Sequence, residues 1–523
     1  MASLLEMSEW GGTNAASLKL AIDNIFSEKG QLPLKSYETK LVAATADGAA
    51  VNFGRIKGLM TRLCDERNWL LKIHCINHCI ELAVKDAFKN SKFKKVEDFY
   101  NANFNLLKAS GKIKSEVTNA ATSLGIQAYT LPKLKGTRFV GHRFAAMRRL
   151  VDMWPAFDLA YENVIADKVT KEETRAKVKG LLRSFRNYEY LALVCCFLDL
   201  LEKTRPCSKV FEGKGLLPFE IWPSAQQTID DLRELVDEQE ECLDSNLRRF
   251  EMKEDDDGKV YLEGEYTRTN DNLRSVENQR PVLVYLCNIT NIRNEVKRQA
   301  LRECRVVAEK LVEEVEDRFE GYNEGIYNSM KWFDPMHWTA EKDFGASDLS
   351  EFASHFEKPL QATKFDLKRA LKEWSAFKKY VAYNMKGTEA RQLWASILAY
   401  REKEYPNLCI LAKLMVAISG SNSNVERAFS ILRLLLSDRR LSTSHTLMEM
   451  RLRIAVNDVI WTEKEREDLL KRATELYLMK NRKRKLDEDE DGNKAKKQRR
   501  MQEAMIVASE DSDTDEETED ETE

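Results

Sequence analysis

Apolar residues recur at helical spacing through most of this 523-residue chain, but near the front they bunch into two short runs. Leu18, Ile22 and Ile25 share one face of a helix predicted over 14–29, with Gly30 as its stop. The run LVAATA (41–46) then predicts a short buried strand ending at Asp47-Gly48. WLLKIHC (69–75) predicts a second strand. A helix follows from about Asn77 and carries Ile80, Leu82 and Val84. This alternation predicts an α/β core.

From 158 to 385 the pattern is helical almost throughout. Over 293–319, Val296, Ala300, Cys304, Val307, Leu311, Val315 and Phe319 form one stripe. Pro223-Ser224 opens another predicted helix carrying Ile229, Leu232, Val236, Leu243, Leu247 and Phe250. Residues 253–276 are polar and acidic and are predicted to loop out of the helical block. Residues 386–479 return to a compact apolar pattern, with amphipathic helices predicted at 424–436 and about 444–456. No repeat of 20–50 residues points to a solenoid. From Lys480 onward the chain is low-complexity, too poor in apolar residues to fold alone, and a disordered tail is predicted.

Composition sharpens this picture. Gly and Pro are scarce, 21 and 10, which favours a mainly α protein over one with many turns. The net charge of −3 hides an asymmetry: the 11 acids after Arg500 leave 83 basic residues against 75 acidic ones in 1–500. The body is mildly basic and the acidity is concentrated in the tail. Residues 85–149 carry 14 Lys and Arg against 4 acids. Within them, Lys92, Lys94, Lys95, Arg143, Arg148 and Arg149 are candidates for contacting phosphates of DNA. A solvated basic helix face reads equally well. Ten scattered Cys fit a reducing compartment. No secretory leader is expected at the N-terminus, and no apolar run approaches the roughly 20 residues that span a bilayer, so no membrane partner is expected.

The stretch AISGSNSNVERAFSILR (417–433) sets Glu426 in the first turn of a helix whose Val425, Phe429, Leu432 and Leu436 form one stripe. Ser423-x-x-Glu426 also reads as a capping box, and Asp47-Gly48 as a tight turn. Cys75-x-x-His78 lies in IHCINHCIEL. No second pair of ligand residues at zinc spacing accompanies it, so packed side chains are the simpler reading.

Trp394, YPNLCILA (405–412), SNVERAFS (423–430) and the helix after DRR (438–440) together resemble the C-terminal dimerisation region of hAT-family transposases. The resemblance implies a ribonuclease-H-like fold interrupted by a large all-α insertion. Residues 1–157 would be the first part of a truncated core and 158–385 the insertion. Residues 386–479 would complete the core and form the dimerisation region, and 480–523 would be the tail.

It also implies that Asp47 and Glu426 correspond to catalytic acids, meeting at the edge of one small sheet and holding Mg²⁺ if the protein is active. Cys75 and His78 match the CxxH motif. Arg138-Phe139 stands where the family has an Arg-Trp pair whose Trp stacks on a DNA base. The only Asp before Leu41 is Asp23, within the predicted helix. No counterpart of the family's first catalytic Asp, nor of its zinc finger, is found.

The expectation is therefore a domesticated or decayed transposase-like protein, DNA- or chromatin-associated, without strand transfer and with no cofactor. An active transposase and a protein-interaction scaffold are the alternatives. A homodimer is expected through Trp394, Phe429, Leu432, Leu436 and Leu447. Two basic clusters resemble a bipartite signal for a nuclear import receptor. The first holds Arg482, Lys483, Arg484 and Lys485; the second includes Lys496, Lys497, Arg499 and Arg500. A nuclear location follows.

Overall fold

A computed structural model describes residues 14–29, 34–134, 139–213, 216–237, 245–268, 281–339, 341, 343–436, 444–457 and 462–490. Of the predicted residues, Gly30, Arg138, Leu243, Lys496, Lys497, Arg499 and Arg500 lie outside them. The side chains of Phe139, Arg482, Lys483, Arg484 and Lys485 are likewise not described. The chain is mainly helical, and it divides into two compact units, Ser8–Arg427 and a second comprising Met1–Met7 with Ala428–Glu523. The division falls inside one helix, Ser423–Leu435.

In the larger unit the first predicted helix forms as α1 (Ala15–Asn24), capped by Asn14, whose side chain accepts from Ser17 N at 2.9 Å. A π-helical turn, Ile25–Lys29, continues it. Both front strands form. β1 (Ala43–Ala46) pairs in parallel with β2 (Leu71–His74), Ala43 opposite Leu71 and Ala46 opposite His74. The crossover between them carries α2 (Leu59–Asp65), whose Leu59, Met60 and Leu63 pack in a small core with Ala15 and Leu70. A strand–helix–strand crossover is how two neighbouring strands come to run parallel.

α3 (Ile76–Ala87) leaves β2 directly. Ile76, Ile80, Ala83, Val84 and Ala87 are all buried, one stripe of a 3.6-residue period. Next come α4 (Phe93–Ala109), α5 (Gly111–Ser123), α6 (Phe139–Asp152), α7 (Trp154–Ala166) and α8 (Glu172–Phe185). α9 (Tyr188–Glu212) is apolar on all sides from Leu191 to Leu201 save for Asp199, and is buried accordingly. α10 (Ile221–Asp237) and α11 (Asn294–Phe319) pack beside it. The predicted stripe of α11 is buried from Ala300 to Phe319. α12 (Leu367–Asn384), α13 (Ala390–Tyr400) and α14 (Pro406–Ala417) complete the unit's core, which is continuous from Trp69 to Ile418.

Two expectations fail here. The helix expected to reach Phe250 is described over Ile221–Asp237, but Leu247 lies on a 3₁₀ turn and Phe250 opens a strand.

The acidic segment 253–276 is not simply a loop. β3 (Phe250–Glu254), β4 (Val260–Tyr266) and β5 (Val282–Leu286) form an antiparallel sheet in the order β3-β4-β5. The block 158–385 is therefore not all-α. Leu262, Gly264 and Tyr266 face inward and Tyr261, Glu263 and Glu265 outward, a period of two. Gly258 turns the β3–β4 hairpin at φ +76°, where a side chain would be strained, and its amide donates to Asp255 O at 2.9 Å.

The smaller unit begins within the helix Ser423–Leu435 (α15), which is followed by α16 (His445–Asn457) and α17 (Glu463–Glu490). Basic residues at 482–485 thus lie on helical backbone, where the sequence predicted disorder.

Candidate functional site at the strand ends

The carboxyl ends of β1 and β2 meet the loop that starts α15. Cys75 N donates to Ala46 O at 2.8 Å, which joins the two strand ends. The loop 419–422 then closes over them. Thr45 Oγ1 donates to Ser419 O at 2.6 Å, and Ile76 N to Gly420 O at 3.1 Å. The Cys75 thiol donates to the side-chain oxygen of Asn422. Asp47 follows β1 immediately, and Glu426 stands one turn past Asn422. Glu426 is close enough that, after burial as the main cause, its charge also helps push the Cys75 thiol upward. Residues far apart in sequence are thus brought to the same edge of the same strand pair.

Local chemistry explains each placement. Asn422, rather than Ser423, precedes the first residue of α15, and its carbonyl accepts from Val425 N at 2.9 Å and Glu426 N at 3.1 Å. Ser423 is already inside the helix, one position too late to be the cap that the S-x-x-E spacing suggested. Glu426 is half-buried in the first turn, where the helix dipole favours a carboxylate.

Asp47 is exposed, and its Oδ1 accepts from Asn52 Nδ2 at 2.7 Å and Ala49 N at 3.3 Å, an Asx turn. Gly48 is needed for space. A Cβ there would lie 2.6 Å from the His74 ring. His74 is half-buried with its Nε2 buried and unpartnered. Its pKa is held below the usual imidazole value first by burial and then by His78, whose ring centroid lies 5.8 Å away. His78 is half-buried, and Cys79, behind it, is pushed up to about 12 by burial.

These donors do not fit a two-ion Mg²⁺ centre. Such a centre draws on several carboxylates with free oxygens. Here Asp47 has an oxygen committed to its own turn, and the His74 and His78 imidazoles share the edge. Among the described residues no group of three or more His, Cys, Asp or Glu is gathered as a metal would need.

Sequence reasoning missed three neighbours. Asn422 and Glu81 were passed over, and His74 was weighed only as a zinc ligand. Glu81 is 5% exposed on α3, and both its oxygens accept from Val140 N, at 3.0 and 2.9 Å, in the first turn of α6. The signal was present: an acid on the apolar face of a helix is buried only with partners.

The candidate phosphate-binding cations are mostly engaged within the chain. Arg143 is only 9% exposed and donates to Glu97 at 2.7 Å, so it is a structural residue rather than a surface contact. Lys94 pairs with Asp98. Lys95 pairs with Glu189 at 2.8 Å and lies 4.4 Å over the Tyr190 ring. Arg148 reaches Asp152 at 3.5 Å and Glu202 at 3.4 Å, and Arg149 donates to Thr130 O at 2.8 Å. The Lys92 side chain has no partner among the described residues, while its backbone amide donates to Glu303 at 2.6 Å.

Of the residues expected at a subunit contact, Trp394 is instead 1% exposed in the chain's own core. The others behave differently. Phe429, Leu436 and Leu447 are 57%, 42% and 44% exposed, and Leu432 is half-buried. Leu434, Met450 and Ile454 are exposed as well. On α16 Met448 and Leu452 are buried, so its two faces divide into one packed and one open. No helix among the described residues is long and apolar enough to cross a membrane. Residues 384–453 match the family described as the hAT family C-terminal dimerisation region, a stretch that includes α13, α14, α15 and the open face of α16. What the match shows is that this stretch of the chain is similar to the hAT family C-terminal dimerisation region.

Proposed function

We propose that this protein is a nuclear, DNA-associated homodimer that keeps the ribonuclease-H-like scaffold of an hAT transposase without its strand-transfer activity. The observation that carries the reading is the closure of the 419–422 loop over the ends of β1 and β2, which brings Asp47 and Glu426 to one edge. Open α/β sheets place their ligands at that edge. The parallel pair β1–β2 suits the first part of such a core, and 158–385 suits an insertion that departs from it and returns. The donor set at the edge supports loss of the metal chemistry. Exposed Lys92 and the surface pairs of Lys94 and Lys95 suit DNA contact, since exposed pairs are weak and exchange readily for phosphate. The basic clusters at 482–485 and 494–500 suit an import receptor.

Supercoiled plasmid separates the readings. With Mg²⁺ or Mn²⁺, the protein is expected to retain the plasmid, to release it as salt rises, and to leave it unnicked. Nicking that Asp47→Ala abolishes would overturn the loss of activity and establish the transposase. Absence of retention at low salt would overturn DNA association and leave the scaffold.

The open apolar face gives a second test. Phe429→Asp with Leu447→Asp puts two charges where a partner subunit is expected to cover apolar surface. The pair should shift the mass measured by light scattering from dimer to monomer, with the affinity between subunits weakened roughly 100-fold or more. A mass unchanged from the parent would place the dimer contact elsewhere.

A further inference from the structure

A cavity of about 330 Å³ opens between α4, α5 and the segment 128–131, on elements that carry neither Asp47 nor Glu426. Its walls are apolar: Phe104 and Leu107 from α4, Val117 from α5, and Met153 behind them. Met153 is fixed there because its sulfur accepts from Tyr129 N at 3.1 Å. The rim is cationic, with Lys108 near the end of α4 and Lys114 in the first turns of α5.

These two lysines differ from their neighbour. Lys112, between them, is paired with Asp167 at 2.5 Å. The ammonium groups of Lys108 and Lys114 have no ion-pair partner among the described residues. Both are exposed. The two charges flank the α4–α5 junction, where Ser110 Oγ accepts from Ile113 N to start α5. An anion held there also faces the positive end of a 13-residue helix. Apolar walls with a few charged groups at the mouth are the usual make-up of a small-molecule site, and the volume is at the small end of that class.

We propose that this cavity binds a small amphiphilic anion: an alkyl or aryl body in the apolar chamber, with one carboxylate between Lys108 and Lys114. No group transfer is involved.

Calorimetric titration of the full chain with decanoate, decanol and decylammonium tests it. Decanoate should bind saturably at one site per chain. Octanoate should bind on the order of tenfold more weakly, as expected for two fewer buried methylenes. Decanol should be weaker than decanoate, and decylammonium should give no saturable heat. Lys108→Glu with Lys114→Glu, a surface pair, should weaken decanoate roughly tenfold or more without altering the circular-dichroism melt. Leu107→Trp, which fills the chamber from a half-buried position, should abolish binding of every chain length. Decanoate that fails to saturate, decylammonium that binds as tightly, or binding indifferent to both variants would overturn the proposal.

Discussion

Asp199→Asn should remove a pH dependence of stability that the parent protein shows between about pH 5 and 8. Asp199 is 3% exposed on α9. Its Oδ1 accepts from Ser245 Oγ at 2.6 Å and from Asn246 N at 3.1 Å, and so ties the start of the three-stranded sheet to the central helix. Burial pushes its pKa up to about 7. The bonds from Ser245 and Asn246 pull the other way, and Glu202 adds to the rise. The folded-state pKa therefore lies above the unfolded one, near 4. Between those values the folded state holds a proton that the unfolded state has released.

Stability from this group is fully present below about pH 4, falls as pH rises, and is lost above about 7. Three pH units of linkage amount to on the order of 4 kcal/mol. Asn retains the accepting oxygen and cannot titrate. Its amide would leave a donor where Asp199 Oδ2 already lacks a partner, so the variant need not be more stable at every pH. The slope is the decisive quantity. In urea unfolding at pH 5.5 and pH 8, the parent should lose roughly 2–3 kcal/mol more than the variant. Parallel losses would show that Asp199 is ionised throughout.

Where the hydrophobic pattern was long and regular, the sequence was a sufficient guide. The stripes of α3 and α11 and the strands β1 and β2 stand where spacing predicted them. The misread regions share one cause: charge was taken as absence of structure. VYLEGEY alternates correctly for a strand, and DDDG before it is a turn signal, but the acids around them disguised a hairpin. The opposite error extended a helical stripe to Leu247 and Phe250, which lie on a 3₁₀ turn and a strand.

The candidate site was legible in part. Asp47 at a strand end and Glu426 in a first helical turn are local statements, and local spacing carried them. That they lie at one edge depends on Thr45, Ser419, Cys75 and Asn422 bonding across the chain, and no local pattern encodes those partners. The phosphate candidates were legible only as charge. A count of cations in 85–149 is blind to the acids that fold beside them: Glu97 within that stretch, and Glu189 and Glu202 well outside it.

Trp394 gives the sharpest contrast between the two ways of placing a residue. Its position within a dimerisation region suggests a subunit contact. Its surroundings are instead those of a fully packed core aromatic. The indole stacks on Phe333 at 4.7 Å and meets Trp332 edge-on at 5.6 Å. Its Nε1 donates to Phe333 O at 2.7 Å. Trp332 in turn meets Trp374 edge-on at 5.8 Å, so the ring belongs to a chain of aromatics running through α12 and α13.

Trp394→Ala removes that ring, leaves a cavity and strips the Phe333 carbonyl of its donor. The expected cost is about 3–5 kcal/mol, read as a lower guanidinium midpoint. Trp394→Phe keeps most of the ring and should cost roughly 1–2 kcal/mol, largely the lost hydrogen bond. A core role requires that both losses persist in the monomeric background of Phe429→Asp with Leu447→Asp, because no subunit contact remains there to be weakened. If Trp394→Ala left that monomer's midpoint unchanged, and weakened only the dimer of the parent, the indole would belong to the interface after all.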